Sequence, residues 1–263
     1  MNRTPFCFAK LHGDMGLTKT YFGCKIIINT RNIHTYNLID NGIIEAAICA
    51  LFEAHIKPGD VVVDAGANIG FLSLLAGHLT GPQGKVIAIE ANPDVHRTLE
   101  ENIVINGFAG RFDTHQMAAH DEAAELTFTW NSHRDGSGRI VTAVQSGLAQ
   151  NHCQVQANTL DHLCAGQRVD FIKIDTEGAE PYVLRGAEQL IRQNPGIKVI
   201  FEWNGRHIRQ RAQDPQVFAD WVFTHFKQVD RILNKETLVP LTAADLMALP
   251  HSNIFCRNPS SGK

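Results

Sequence analysis

From about residue 42 onward, helical and strand patterns alternate through short connections, and that alternation admits few folds. Ile43, Ile44, Ala47, Ile48, Leu51 and Phe52 recur at helical spacing, and Lys57-Pro58-Gly59-Asp60 then launches the buried-strand run Val61-Val62-Val63. A second helix carries Phe71, Leu74, Leu75 and Leu79 on one face and ends at Gly81-Pro82, ahead of the strand Lys85 to Ile89. Asn92-Pro93-Asp94 reads as an N-cap, a first-turn proline and a dipole-complementing acid, for a helix closed by Asn106-Gly107. A further strand is expected over about Phe112 to Ala118. Two more units follow, with Val169 to Ile174 leading into a helix near Pro181 and Lys198 to Phe201 leading to a helix over Val217 to Phe226. Such a chain builds a mostly parallel, doubly wound sheet with helices on both faces.

Two stretches break the rhythm. Residues 1–41 read as an N-terminal extension, irregular or hairpin-bearing, with Lys25 to Asn29 a strand. Within the α/β domain, taken as 42–257, residues 121–158 form a β-rich excursion. There Leu126 to Trp130 and Arg139 to Thr142 flank the turn-rich Arg134-Asp135-Gly136-Ser137-Gly138, a hairpin that either covers a pocket or is a plain sheet edge without function. Thr237 to Arg257 can supply a final strand pair, and the tail 258–263 is expected to fray.

Charge and composition exclude several classes. Lys plus Arg number 24 against 27 Asp plus Glu, so no global positive field exists to hold a nucleic-acid backbone or an anionic bilayer. The run Phe6-Cys7-Phe8-Ala9 is too brief for a signal-peptide core, and no long apolar stretch occurs. The expectation is a soluble, cytoplasmic protein with no nucleic-acid partner and no membrane insertion, its oligomeric state open. Six scattered cysteines without a CxxC pair read as reduced thiols, and thirteen histidines without HExxH spacing give no reason to expect a metal.

In doubly wound sheets ligands bind at the carboxyl ends of the strands, where strand order reverses. Here those ends carry acids: Asp64 in Asp64-Ala65-Gly66-Ala67-Asn68-Ile69-Gly70, then Glu90, then Asp175-Thr176-Glu177-Gly178, then Glu202-Trp203-Asn204. The glycine turn fails the dinucleotide spacing GxGxxG, because Asn68 and Phe71 stand at the second and third glycine positions. A pyrophosphate would also be repelled by Asp64, Asp175, Glu177 and Glu202. A cationic cofactor without phosphates suits this inventory. S-adenosylmethionine is one, with a sulfonium, an ammonium and a ribose diol that an acid ending the second strand can accept. Glu90 stands 26 positions after Asp64, one helix plus one strand away, as that geometry requires.

The strings Val63-Asp64-Ala65-Gly66-Ala67-Asn68-Ile69-Gly70-Phe71, Ile89-Glu90-Ala91-Asn92-Pro93 and Asp170 to Glu180 resemble the FkbM-type family of class I methyltransferases. Gly42-Ile43-Ile44-Glu45 and Thr159-Leu160-Asp161 extend the likeness, which covers about residues 42 to 205. The resemblance implies a Rossmann-like seven-stranded sheet with an antiparallel last strand. It further implies methyl transfer from S-adenosylmethionine to oxygen, often a hydroxyl of a sugar or other natural product. Ala65 and Thr176 stand where that family often has valine, and neither change removes a functional atom.

Expected cofactor contacts are Asp64, Gly66, Asn68, Gly70, Glu90, Asn92, Met117 and Asp175, with Glu45 added by the resemblance. Asn92 also reads as a plain N-cap, and Met117 with Ala118 as an apolar wall beside adenine. Asp175 is the best-placed base for the acceptor hydroxyl, although Lys173 on the same strand face makes an ion pair the competing role. Glu177, Glu202 and His207 complete the catalytic candidates. Glu177 and Glu180 are equally explained by the dipole of the helix they open. Glu202, Asn204 and Asp175 form an alternative oxygen-rich Mg²⁺ or Ca²⁺ set. A partner module that binds the cofactor without catalysis, or an N-methyltransferase, are the alternatives for the whole chain; the acceptor remains open.

Overall fold

The computed structural model describes residues 8–32, 35–131, 134–141, 151–210 and 213–258. Strands β1 (Ala9–Lys10), β2 (Met15–Lys19) and β3 (Lys25–Asn29) make an antiparallel sheet, followed by helices α1 (Thr35–Asn41) and α2 (Ala46–His55). The alternating segment then gives β4 (Val61–Ala65), α3 (Phe71–Thr80), β5 (Lys85–Ile89), α4 (Pro93–Ile105) and β6 (Phe112–His115). Next come β7 (Ala118–Ala119), β8 (Ala124–Asn131), β9 (Arg134–Val141), β10 (Asn151–Asn158) and α5 (Leu160–Leu163). The second half supplies β11 (Phe171–Ile174), α6 (Glu180–Arg185), α7 (Glu188–Gln193), β12 (Lys198–Trp203), α8 (Gly205–Gln210) and α9 (Pro215–His225). It ends with β13 (Gln228–Ile232), β14 (Leu238–Pro240), α10 (Ala243–Ala248) and β15 (Ser252–Arg257).

The main sheet has the order β14-β13-β15-β12-β11-β4-β5-β6. Its five strands from β12 to β6 are parallel, and β15 runs antiparallel between β12 and β13. Seven strands follow the expected doubly wound pattern, and β14 adds an eighth at the edge. The two strands expected in the C-terminal segment are present but do not pair with each other; β13 lies between them. Chain order reverses between β4 and β11, which opens a crevice above their carboxyl ends.

Side chains alternate across the sheet, so the valine and isoleucine runs feed both faces. Val63, Ile87, Ile172 and Val199 pack with α6, α7 and α9, while Val62, Val86, Phe171 and Ile200 pack with α2 and α3. Fully buried Ile26 and Ile28 of β3 join the second cluster, so the N-terminal sheet is fastened to this core. Asn102 of α4 and Asn106 at its C-cap complete β3: Ile27 N–H donates to Asn102 Oδ1 at 2.6 Å and Lys25 N–H to Asn106 Oδ1 at 2.8 Å. Their amide nitrogens donate back to the Ile27 and Lys25 carbonyls, satisfying an otherwise open strand edge.

Several boundaries differ from expectation for local reasons. The strand expected over Phe112 to Ala118 breaks after His115, because Ala118 and Ala119 leave the main sheet and pair in parallel with Ala157 and Asn158 of β10. The resulting order β7-β10-β8-β9 is a second sheet. Arg134 to Gly138 is not the turn but the start of β9; Gly138 is needed there because a Cβ would lie 2.2 Å from the Phe128 ring. Thr142, the run Phe6-Cys7 and the tail 259–263 lie outside the described residues. Asn258 does not fray, since it accepts from Lys227 N–H and donates to the His225 carbonyl. Among the described residues the cysteines are free thiols, and no helix is long and apolar enough to cross a membrane.

Candidate functional site

A cleft of about 1140 Å³, open mouth included, lies over the carboxyl ends of β4, β5 and β11. Its floor is built by turns with unusual backbone. Among the described residues, three that are not glycine take left-handed φ: Glu45 (49°), Asn68 (52°) and Glu177 (54°), and all three line this cleft. Each such conformation costs on the order of 1–3 kcal/mol and persists only where the surroundings impose it, a pattern concentrated at functional sites. Glu45 therefore precedes α2 as a left-handed N-cap instead of lying within the helix, as the periodicity from Ile43 had predicted.

Of the residues singled out from the sequence, Glu45, Gly66, Asn68, Glu90, Met117, Asp175 and Glu177 line the cleft together. Glu90 is held at the end of β5 by two amides: Asn68 N–H donates to one carboxylate oxygen at 2.9 Å and Asn92 N–H to the other at 2.8 Å. Burial raises its pKa, while those two amides oppose the shift. Gly66, at φ 80°, passes so close to β11 that a Cβ would fall 1.8 Å from the Asp175 carbonyl oxygen. Gly66→Ala is expected to destabilise the fold by roughly 3 kcal/mol and to push Asp175 out of place, which urea unfolding monitored by circular dichroism will register.

The remaining candidates do not line the cleft, each for a visible reason. Asp64 is fully buried, accepts from Ser73 Oγ at 2.5 Å and lies 3.4 Å from Lys173 Nζ. Gly70 is the N-cap of α3, where a Cβ would meet Leu99 at 2.5 Å. The Asn92 side chain caps α4, accepting from Asp94 and Val95 N–H. Glu202 lies inside β12 and holds His251 Nε2 at 2.7 Å. His207 sits on α8 with Nδ1 3.8 Å from Glu177 Oε2. Asn204 is spent as an acceptor for His207 N–H at 3.2 Å.

Electrostatics centre on Lys173, whose ammonium donates to the Gly66 carbonyl at 3.1 Å and lies 3.7 Å from Asp175. Burial opposes its charge, but Asp64, Asp175 and Glu45 outweigh burial and hold it protonated above the ordinary lysine range. Glu45 keeps surface open to the cleft's water, yet crowding by protein pushes its carboxyl up to about 7; Lys173 opposes this, and Asp175, Asp64 and Glu202 reinforce it. Glu180 lies in the first turn of α6, as expected, and is also wholly buried. Its Oε1 accepts from Thr176 N–H, Thr176 Oγ1 and Gly178 N–H, closing the turn that presents Asp175 and Glu177. Burial pushes this carboxyl up to about 7 despite its backbone hydrogen bonds, with Asp175 and Glu202 adding to the shift.

Sequence reasoning missed the roof. Asn32, Thr35 and Leu38 reach the cleft from the N-terminal region, and Phe128, Arg139 and Ile140 from β8 and β9. Covering a pocket was one of two readings of the excursion, but no spacing in it marks these particular residues.

The cleft suits a phosphate-free cation carrying a diol. Four carboxylates, Glu45, Glu90, Asp175 and Glu177, line it against Lys173 and Arg139, and Ile89, Ala91, Met117 and Ala118 give an apolar wall. Residues 64–237 match the methyltransferase FkbM domain, well over half of the chain. Methyltransferase sdnD of Sordaria araneosa is 25% identical over 189 residues, 61% of this chain and 73% of that protein. Methyltransferase 1 of Beauveria bassiana is 29% identical over 146 residues, 48% of this chain and 58% of that protein. The 31-O-demethyl-FK506 methyltransferase FkbM of Streptomyces tacrolimicus is 44% identical over 76 residues, 29% of this chain and 28% of that protein. Among solved structures, a proposed rRNA methylase from Clostridium thermocellum superposes with a TM-score of 0.50 at 10% identity, covering 84% of this chain and 99% of that one, and so shares the fold. With the domain match running from the end of β4 through β13, and the acids at the ends of β4, β5 and β11 inside it, the chain belongs to the FkbM family of class I, S-adenosylmethionine-dependent methyltransferases.

Proposed function

We propose that this chain transfers a methyl group from S-adenosylmethionine to a hydroxyl oxygen of a sugar, glycan or other small natural product, in the cytoplasm. The observation that carries this reading is the acid-lined cleft at the strand-order reversal, whose floor is made of left-handed residues. The Streptomyces relative, by its name, completes an O-methylation, which supports oxygen as the acceptor atom.

When bound, the cofactor supplies an electrophilic methyl group on a sulfonium. Glu90 would take the ribose diol, because its two carboxylate oxygens retain lone pairs beyond the amides they already accept. Glu45 and Asp175 lie where a positively charged methionyl end gains from negative neighbours, and the Met117 wall takes the adenine. The chain's further task is to align the acceptor oxygen and to take its proton at an Asp175 carboxylate oxygen. Phe128 and Ile140 of the excursion add apolar surface to that cleft.

Calorimetry provides the first test. Glu90→Ala is expected to weaken binding of the methyl donor about 10- to 100-fold, the worth of hydrogen bonds to a charged group. The variant's thermal unfolding should be measured alongside, because Asn68 and Asn92 lose their acceptor; unchanged donor affinity in a folded variant removes Glu90 from the site. Incubation with isotopically labelled donor and a panel of sugars, alcohols and amines, read by mass spectrometry, tests the reaction itself. Label on nitrogen alone would overturn oxygen as the acceptor. Tight donor binding with no labelled product across the panel would instead mark a cofactor-binding partner module.

A further inference from the structure

The geometry points to a divalent-cation site beside the cleft, formed by the carboxylates of Asp175, Glu180 and Glu202. One oxygen from each lies within 4.8 Å of the others. Two oxygens on opposite sides of a shared Mg²⁺ or Ca²⁺ are separated by about 4–5 Å, so the cluster has the dimensions of a hard-cation cage. The three acids come from the end of β11, the first turn of α6 and the interior of β12, which the fold brings together across adjacent parallel strands.

Acidic clusters are common without a cation, and what distinguishes this one is its buried, unanswered oxygen. Glu180 is 0% exposed, and three donors fix its Oε1 while Oε2 has no hydrogen-bond partner. Glu202 repeats the arrangement, with Oε1 on His251 and Oε2 buried and unpartnered. A buried carboxylate oxygen without a donor costs on the order of 1–3 kcal/mol, and a cation bound among these three acids would answer both. Among the described residues no lysine or arginine forms an ion pair with Glu180 or Glu202; the Lys173 ammonium lies 3.7 Å from Asp175, and His251 meets Glu202 Oε1. Asn204, which the sequence offered as the third ligand, is occupied as a helix cap, and Glu180 takes its place.

The site is continuous with the cleft because Asp175 belongs to both. A cation held there by Asp175, Glu180 and Glu202 would supply Lewis-acid stabilisation to a hydroxyl of the acceptor as it loses its proton. That use rests on the O-methylation reading above; the existence of the cation site does not.

The test titrates Mn²⁺ into chelator-treated full chain without methyl donor, following the electron paramagnetic resonance signal of free Mn²⁺. Saturable binding of one ion per chain is expected, weakened at least tenfold in Glu202→Gln and in Glu180→Gln and unchanged in the distant Glu236→Gln. Glu180 also closes its turn, so circular dichroism checks that variant's fold, and Glu202→Gln decides if it does not fold. Absence of saturable binding at millimolar Mn²⁺, or binding unaltered by Glu202→Gln, overturns the site. Because donor is absent, Mn²⁺ binding without later methyl transfer would sink the reaction and leave the cation site standing; methyl transfer without Mn²⁺ binding would do the reverse.

Discussion

Asp175→Asn is expected to lower turnover about 10²- to 10⁴-fold, the range for loss of a positioned general base. Donor affinity should change far less. The substitution preserves volume and one oxygen acceptor, so it removes chiefly the capacity to receive a proton. The competing role is structural, since Lys173 Nζ lies 3.7 Å from Asp175. The two roles separate in measurement. Asp175 is 35% exposed and Lys173 keeps Asp64 at 3.4 Å, so loss of the Asp175 charge should cost little stability. A structural role would move donor affinity and unfolding together, with turnover falling only in proportion. A catalytic role drops kcat well beyond the modest loss of donor affinity that follows from removing one negative neighbour, read by calorimetry, urea unfolding and single-turnover methyl transfer on one preparation. Turnover equal to the parent protein ends the base assignment.

What the sequence made legible was local chemistry. Lys25 to Asn29 and Lys85 to Ile89 appear as strands at the expected residues, because branched apolar runs bounded by turn residues have one stable use. The cap at Asn92 followed from a three-residue signal. What was hidden depends on partners distant along the chain. Asp64 ends its strand like a cofactor ligand, but parallel pairing with β11 places it beside Lys173, which claims it. Glu180 reads as a helix-dipole acid, and only the fold shows its carboxylate turned back onto Thr176 and Gly178. Glu202 is spoken for by His251, 49 positions later. The break after His115 has the same origin, since only the presence of β10 gives Ala118 and Ala119 somewhere else to pair.

Lys173→Met should be among the most destabilising single changes near the cleft. The Lys173 side chain is 5% exposed and that of Asp64 is 1% exposed, and their strands place the two residues directly opposite each other. Removing one member of a buried pair leaves the other charge uncompensated, at a cost of about 3–5 kcal/mol. Methionine fills most of the lysine's volume, so little of that loss is cavity. Ser73 Oγ still donates to Asp64, which sets the estimate at the lower end of the range. The Gly66 carbonyl also loses its donor, so the glycine turn loosens and methyl-donor affinity falls with stability. Combining Lys173→Met with Asp64→Leu removes both charges and should recover part of the loss, because a well-packed apolar pair often replaces a buried ion pair at little cost. Urea midpoints of the parent, both single variants and the double variant give the coupling directly. If Lys173→Met costs less than about 1 kcal/mol, the range of an exposed pair, cleft water is already screening the ammonium and the buried pair does not hold the strand ends together.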